Sequence, residues 1–416
     1  MSDAAVPRFS PEAMEAIGRG RLFAGGRRHH DIVARLLPEG ARWVDITAPV
    51  EAFVERVKSV AAQMLPDADG VSWSTHRSAG PTARGDAAVH IVVFASGDPL
   101  FYGIAATLQR LWPEAQLGVI AAPHSLQMLA CRLLLPYHDM RVVSLTGRPW
   151  HELDRALIEC APLIGVLTDA VHTPAAIAAR MAEYGYTDYV MHIGVSLGNE
   201  AREQVVTLTV EEACGRTFAR PCCLILKGHA ARRMYIPDTE FAHLVGRAGM
   251  MTKLPYRCLT LAAMELHRRA VMWDIGSCTG SVAIEARLQH PHLHVVAFEQ
   301  RRECEGIIAD NARRMGVPGM DVHIGNFIDI VTEHRESLGA QPDAIFVGGH
   351  GGRLGEIMRL CRDCMAADGC IVMNSVSDAS REAWHAACAE LGLRESHPIH
   401  VSIDAYNPIT IMKATL

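Results

Sequence analysis

VMWDIGSCTGS, residues Val271–Ser281, is the stretch on which the fold of this chain turns. An apolar run ends on Asp274, bends through Gly276 and Gly280, and enters a helical pattern near Val282. A second apolar run, VVAFE (Val295–Glu299), follows and closes on a carboxylate about 25 residues after Asp274. Strand, glycine turn, helix, strand and terminal acid is how a Rossmann-like half-fold holds an adenosine. The turn lets backbone approach the ligand, and the acid accepts from ribose hydroxyls.

Outward from this stretch, an unlike signature lies about 180 residues upstream. IVVFASGDPLFYGI (Ile91–Ile104) also runs a buried strand into a Gly-Asp-Pro turn and a helix, without the dinucleotide spacing. Two different sites of this kind in one chain suggest two catalytic modules. Apolar runs alternate with helical patterns throughout, which predicts parallel α/β architecture. In the first half, strands are expected near Val89–Ala95, Gln116–Ala121, Arg141–Ser144, Leu163–Leu167, Tyr189–Val195, Gln204–Thr209 and Cys222–Lys227. The second half repeats the pattern near Leu293–Phe298, Met320–Ile324, Ala344–Val347 and Cys370–Asn374, and a closing antiparallel pair is expected around Leu393–Ile403 and Ile409–Ala414. Pro66–Asp86, rich in Gly, Ser, Asp and Pro, reads as a loop. The pattern turns polar from Gly228 to Gly249, so the domains read as 1–230 and 250–416, with 231–249 as a linker.

Composition narrows the function classes. A length of 416 residues favours two or three domains. A formal charge of −6 argues against nucleic acid as the main partner, because phosphate binding needs a clustered positive surface. No apolar run approaches a membrane span, and Met1–Phe9 has no signal-peptide core. Twelve cysteines scattered without a framework then read as the reduced thiols of a cytoplasmic protein. No metal site is expected. Cys361 and Cys364 sit in a helical pattern with no second pair at ligand spacing, and His290, His292 and His294 alternate along a strand entrance that no carboxylate or cysteine completes.

At this point the residues resemble a family, the fused precorrin-6Y C5,15-methyltransferases (decarboxylating) of cobalamin biosynthesis. In the amino half the resemblance rests on AGGRRH (Ala24–His29), FASGDPLFYGI (Phe94–Ile104), Ala121–Ser125, VVSLTGR (Val142–Arg148) and LTDAVHTP (Leu167–Pro174). In the carboxyl half it rests on IPDTEF (Ile236–Phe241), Met251–Lys253 with Arg257, DIGSCTGSVAIEA (Asp274–Ala286), Glu299, Asn311, PDAIFVGGHGG (Pro342–Gly352) and VMNSVS (Val372–Ser377). The resemblance implies a tetrapyrrole methylase-like two-lobed α/β domain followed by a Rossmann-like class I methyltransferase domain. It implies S-adenosylmethionine as methyl donor, methylation of a corrin precursor at C5 and C15, and loss of carbon dioxide from the ring C acetate. Positioning can supply much of the rate, because the macrocycle is itself a carbon nucleophile and an electron sink. The absence of a Ser/His/Asp or Cys/His set fits that chemistry.

Carried over residue by residue, the resemblance assigns the cofactor in the carboxyl half to Asp274, Gly276, Gly280, Glu299 and Asn326. In the amino half it assigns the cofactor to Gly97, Asp98, Pro99 and Gly103. Arg27, Arg28, Gly348, Gly349 and Asn374 are expected at the carboxylate-rich substrate, with solvated charge the plain alternative for the arginines. Lys253, Arg257 and His350 are the candidate catalytic groups, His350 as a proton carrier. A homo-oligomer is compatible with all of this.

Four positions depart from the family pattern. Few residues precede the helix expected at Pro11–Gly18, so a first strand and its glycine loop are not supplied. Val195–Gly198 lacks a carboxylate, Cys278 stands where the middle glycine is expected, and Pro255 replaces an acid. The first two leave open a chain active only in its carboxyl half. A non-catalytic tetrapyrrole- or S-adenosylmethionine-binding protein is the further alternative.

Overall fold

The computed structural model describes residues 8–64, 89–229, 231–247, 249–404 and 406–416; the loop expected at Pro66–Asp86 lies outside them. The amino half has two lobes. In the first, β1 (Leu22–Gly25), β2 (Arg42–Asp45) and β3 (Ile91–Val93) form a parallel sheet in the order β2-β1-β3. Helix Val50–Gln63 covers it, with Phe53, Val54, Val57 and Ala61 buried along one stripe at helical spacing.

β1 and β2 were not expected from the sequence, and the strand expected at Gln116–Ala121 does not form. Its residues carry no regular structure and are largely exposed, and β3 pairs only with β1 among the described residues. A short apolar run becomes a strand only where a sheet edge receives it.

The second lobe holds β4 (Arg141–Ser144), β5 (Leu163–Leu167), β6 (Val190–Val195), β7 (Gln204–Thr209) and β8 (Cys222–Lys227), ordered β4-β5-β8-β6-β7. Only β4 and β5 are parallel, so the all-parallel expectation is corrected here. The reason lies between β6 and β7, where a short loop leaves no room for the dozen or more residues of a crossover.

The carboxyl half is one sheet of β9 (Val271–Ile275), β10 (His294–Glu299), β11 (Met320–Ile324), β12 (Ala344–Val347), β13 (Cys370–Ser375), β14 (Arg394–Glu395), β15 (Ile399–Val401) and β16 (Ile409–Thr415). The order is β11-β10-β9-β12-β13-β16-β14, with β15 also on β16. β9 to β13 are mutually parallel, and β16 closes the sheet antiparallel to β13, as the sequence predicts. Helices cover both faces, which is why the inner strands β9, β12 and β13 are mostly apolar, whereas the edge strand β11 alternates with Asp321 and His323. Trp273 stands edge-on to Phe298 and Phe327, at 5.3 and 5.9 Å, within one face of the core. The chain walks outward from β9 to β11, then returns to place β12 on the other side of β9. That reversal opens a crevice at the carboxyl ends of β9 and β12, the usual ligand position in open α/β sheets.

Residues 231–247 are docked rather than loose. Ile236, Phe241 and Met251 join Ile284, Leu288, Met315 and Val317 in one apolar cluster, and Ile158 enters it from the amino half. Asn311 clasps Ala242, accepting its N–H at 2.7 Å and donating to its carbonyl at 3.1 Å. Across the same seam, Tyr186 Oη donates to Gly316 O at 2.5 Å, and Arg313 pairs with Glu183 at 3.0 Å.

Candidate active site

A cleft of about 810 Å³ opens at the β9/β12 reversal. Its floor is the turn that follows β9, where Gly276 and Gly280 have φ of +78° and +77°. A Cβ on Gly276 would stand 2.7 Å from Gly349 N, so only glycine lets the two loops meet there. Gly348 N–H and Gly349 N–H both donate to Ile275 O, at 2.8 and 3.3 Å, which fixes the glycine loop over the turn.

Asp274 is buried at the end of β9. Its Oδ2 accepts from Ser277 Oγ at 2.8 Å and from Ala283 N at 3.1 Å, while Oδ1 has no partner. Burial pushes this carboxyl up to about 7; the two donors oppose the shift and Glu299 adds to it. A buried, unpartnered carboxylate oxygen on a cleft wall suits a cationic group such as an ammonium.

Glu299 is only 2% exposed at the end of β10. Its Oε2 accepts from Cys278 N at 2.7 Å, and its Oε1 from Arg301 N at 2.8 Å and Arg301 Nη1 at 3.3 Å. A carboxylate offers about four lone-pair positions, so acceptor capacity remains for hydroxyls in the cleft. Asn326 follows β11 and caps the next helix, its Oδ1 accepting from Ile328 N at 2.9 Å, which leaves its amide nitrogen as the group it could offer a ring. Together the unpartnered Oδ1, the glycine floor and the strand-end acid fit an adenosine-bearing cofactor with an ammonium at one end.

Lys253, Asn374 and His350 also line the cleft. Lys253 is the N-cap residue of helix Leu254–Met264. Asn374 Nδ2 donates to Thr260 Oγ1 at 2.9 Å, and that hydroxyl donates to Tyr256 O at 2.7 Å. His350 Nδ1 accepts from Gly352 N at 3.2 Å, and Nε2 faces Ser380 Oγ at 3.3 Å. Burial lowers the pKa of this ring. Both ring nitrogens are engaged, so carrying a proton would require His350 to release one partner.

Arg257 requires a correction. It is fully buried and does not line the cleft. Its Nε donates to Glu285 Oε2 at 2.7 Å, its Nη1 to Asp238 Oδ1 at 2.6 Å and Thr252 O at 2.7 Å, and its Nη2 to Ile236 O. The sequence reading paired Lys253 and Arg257, four residues apart, as candidate catalytic groups. Because Lys253 is instead the cap, Arg257 turns inward to carboxylates 19 and 28 residues away.

Tyr256, Arg301, Tyr406 and Asn407 also line the cleft and were missed. Tyr256 Oη donates to Asn407 O at 3.0 Å, tying the turn before β16 to the cleft wall. Tyr256 could have been suspected from its position three residues after Lys253, and Arg301 from its place beside Glu299. Tyr406 and Asn407 carry no local signal.

Cys278 keeps its place in the turn with φ of +52°, beside Cys304. The thiol borders the cleft without filling it.

In the amino half, Gly97 has φ of +63° and a Cβ there would lie 3.1 Å from His124 Cα. A Cβ on Gly103 would lie 2.4 Å from Pro99 O, so the helix after Gly103 can approach the turn only with glycine. Asp98 Oδ1 accepts from Leu100 N at 2.9 Å. A second, open cleft of about 500 Å³ lies between the lobes, lined by Arg28, Thr146, Thr168, Asp169, Arg220 and Cys222 among others. Arg28 is therefore on a cleft wall; Arg27 is exposed and is not among its lining residues, nor are Gly97, Asp98, Pro99 and Gly103. Hydrogen bonds from Gly147 N, His172 and Val171 N hold Asp169 well below the usual carboxylate range and pin the rim. Val195–Gly198, which lacks a carboxylate, meets one from later in the same loop: Glu203 Oε2 accepts from Gly198 N at 2.6 Å.

Among the described residues no group of three His, Cys, Asp or Glu could hold a metal ion, and no helix is long and apolar enough to cross a membrane.

Comparison with known proteins gives each half a counterpart. Residues 7–214 match the tetrapyrrole (corrin/porphyrin) methylases, and residues 243–413 match a precorrin methyltransferase domain. The precorrin-6Y C(5,15)-methyltransferase (decarboxylating) of Sinorhizobium sp is 28% identical over 377 residues, which cover 89% of this chain and 82% of that one. Two shorter relatives come from Salmonella typhimurium. One is a cobalt-precorrin-6B C(15)-methyltransferase (decarboxylating), 29% identical over 38% of this chain and 79% of its own length. The other is a cobalt-precorrin-7 C(5)-methyltransferase, 28% identical over 46% of this chain and 80% of its own length. With both halves in one polypeptide and in the same order, the chain belongs to the fused precorrin-6Y C5,15-methyltransferase (decarboxylating) family.

Proposed function

We propose that this chain methylates a precorrin-6Y-type corrin precursor, cobalt-free or cobalt-bound, at C5 and C15 and removes carbon dioxide from its ring C acetate, in cobalamin biosynthesis. The observation that carries the reading is the β9/β12 cleft, where an unpartnered carboxylate oxygen of Asp274 and the acid Glu299 flank a glycine floor. S-adenosylmethionine, when bound, supplies an electrophilic methyl group on a sulfonium centre. Asp274 accepts from its ammonium, Glu299 from its ribose hydroxyls, and Asn326 offers its amide to the adenine edge.

Lys253, also in the cleft lining, attracts a substrate carboxylate. Gly348 and Gly349, without side chains, let a flat macrocycle come against backbone. The protein's main task is alignment, because the macrocycle provides both the nucleophilic carbon and the sink for the electrons left by decarboxylation. Likeness to the bifunctional Sinorhizobium relative spans both halves and favours two active sites over activity of the carboxyl half alone or simple binding. A tetrapyrrole small molecule as partner, cytoplasmic operation and a homo-oligomeric state belong to the same reading.

The test is to incubate the full chain with precorrin-6Y and methyl-labelled S-adenosylmethionine, then weigh the product. Two added methyl groups and loss of one carbon dioxide are expected. One methyl group with decarboxylation would restrict activity to the carboxyl half, and an unaltered substrate would overturn the reading.

A further inference from the structure

Tyr406 precedes β16 and lines the cleft at the β9/β12 reversal, yet it is 41% exposed. Val376, just after β13, lines the same cleft and is 69% exposed. The ladder that sets Ser375 opposite Thr410 brings the loops carrying these two residues to the same end of the cleft. Large apolar side chains left exposed at one end of a cleft are surface for a ligand rather than core.

Strand order decides which ligand. Asp274 lies on β9, Glu299 ends β10 and Asn326 follows β11, so the ammonium, ribose and adenine contacts run from β9 towards β11. β12, β13 and β16 follow in that order on the other side of β9. β16 is antiparallel to β13, so its first residues lie at the sheet edge where β9 and β13 end. At about 4.8 Å between neighbouring strands, three spacings put the start of β16 about 14 Å from the end of β9, in the direction away from the cofactor.

Tyr406 is also held in place. Its N–H donates to Ile403 O at 3.0 Å, and its ring meets the ring of Tyr256 at 6.0 Å with the planes at 63°. Tyr256 is 4% exposed and donates from Oη to Asn407 O at 3.0 Å, so the support is itself tied to the residue after Tyr406. An edge-to-face pair engages at most one face of each ring, and at least one face of Tyr406 is left open.

We propose that Tyr406 is a substrate-binding residue of the carboxyl half, the aromatic face against which the flat macrocycle lies, with Val376 as its apolar neighbour. The assignment rests on the reading of the carboxyl half as a corrin-precursor methyltransferase. Lys253 recognises charge at the rim of the substrate. Tyr406 recognises a flat conjugated ring, so a flexible polycarboxylate of the same charge would gain nothing from it.

The test uses the full chain with precorrin-6Y and S-adenosylmethionine, reading the C15 step as carbon dioxide released and cofactor affinity by calorimetric titration. Tyr406→Ala should raise KM for precorrin-6Y in that step about tenfold, the scale of one lost ring contact, with kcat within about twofold. Affinity for S-adenosylmethionine and the melting temperature should not move. Tyr406→Phe keeps the flat face and should match wild type, whereas Tyr406→Leu keeps apolar bulk without it and should follow Tyr406→Ala. An unchanged KM in Tyr406→Ala and Tyr406→Leu overturns the assignment alone. A parallel loss of S-adenosylmethionine affinity would put the ring against the cofactor, and a Tyr406→Phe variant as weak as Tyr406→Ala would put the contact on the hydroxyl; either overturns it too. Wild-type protein that releases no carbon dioxide overturns the reading of the carboxyl half and the assignment with it.

Discussion

Glu299 Oε2 accepts the backbone N–H of Cys278 at 2.7 Å, so the acid that faces the cleft also holds the turn that forms its floor. Cofactor contact and floor geometry are thereby joined in one side chain. Glu299→Ala should weaken S-adenosylmethionine binding at least tenfold, since a charge-assisted hydrogen bond of this kind contributes about 1.5–3 kcal/mol. Calorimetric titration of the full chain measures it, and equal affinity in variant and wild type would remove Glu299 from the site.

Cys278→Gly should leave cofactor affinity unchanged or tighten it, and should stabilise the fold. A non-glycine residue at φ of +52° carries about 1–2 kcal/mol of backbone strain that glycine relieves. Urea denaturation reads the gain. Weaker binding in the variant would mean the thiol takes part in holding the ligand.

Removing the Arg257 guanidinium leaves Glu285 and Asp238 without their common partner. Arg257→Met should lower stability by about 3–5 kcal/mol, the usual result of breaking a buried ion pair from one side. Cofactor affinity of the folded fraction should stay within about twofold. Near-normal stability with lost turnover would instead restore Arg257 as a group that touches substrate.

Affinity for S-adenosylmethionine should rise with pH through about 7, where the Asp274 carboxyl ionises. Below that pH the neutral acid gives the ligand's ammonium little attraction. Above it the buried charge is present, so binding tightens. The sign for the ligand-free protein is opposite: the folded pKa lies above the ordinary 3.8, so this residue's contribution to stability falls as pH rises across that interval. Titrations at pH 6 and 8 test the binding slope, and Asp274→Asn should flatten it.

His29, His151 and His290 each have their pKa pushed down to about 4, mainly by burial, and secondarily by Arg28, Arg287 and His292 respectively. The unfolded chain takes up protons on these rings from about pH 6.5 downward while the folded chain resists until about 4. Stability should therefore be full above pH 6.5 and decline towards pH 4, three histidines outweighing the opposing slope of Asp274. Thermal melts in that interval should show the fall, and a flat profile would contradict it.

How much of this could be read from the sequence depends on whether the cause was local. β9, β10, β12 and β13 are buried on both faces, so their apolar runs mark them directly, and the turns at Gly276 and Gly97 announce themselves by composition. β1 and β2 are four residues each and begin beside arginines, too short to show a period. Gln116–Ala121 has strand composition, but strand formation also needs a partner edge. Arg257 failed for a related reason: its position is set by Asp238 and Glu285, which adjoin it only after folding. The two aromatic and amide contributors from the turn before β16 reach the cleft through topology alone.

The apolar seam in which Ile158 meets Ile236, Phe241 and Leu288 bears on how such a protein can be divided. Cutting at residue 250 would strip Ile236 and Phe241 from the carboxyl half and with them the carbonyl and carboxylate that hold Arg257. A cut just after Gly228 keeps that floor attached and exposes the seam that Ile158, His151, Glu183 and Tyr186 cover. The natural joint therefore falls at the end of β8, and a gene split there would have to make the apolar, hydrogen-bonded and charged parts of that seam fit for water to yield two independent proteins.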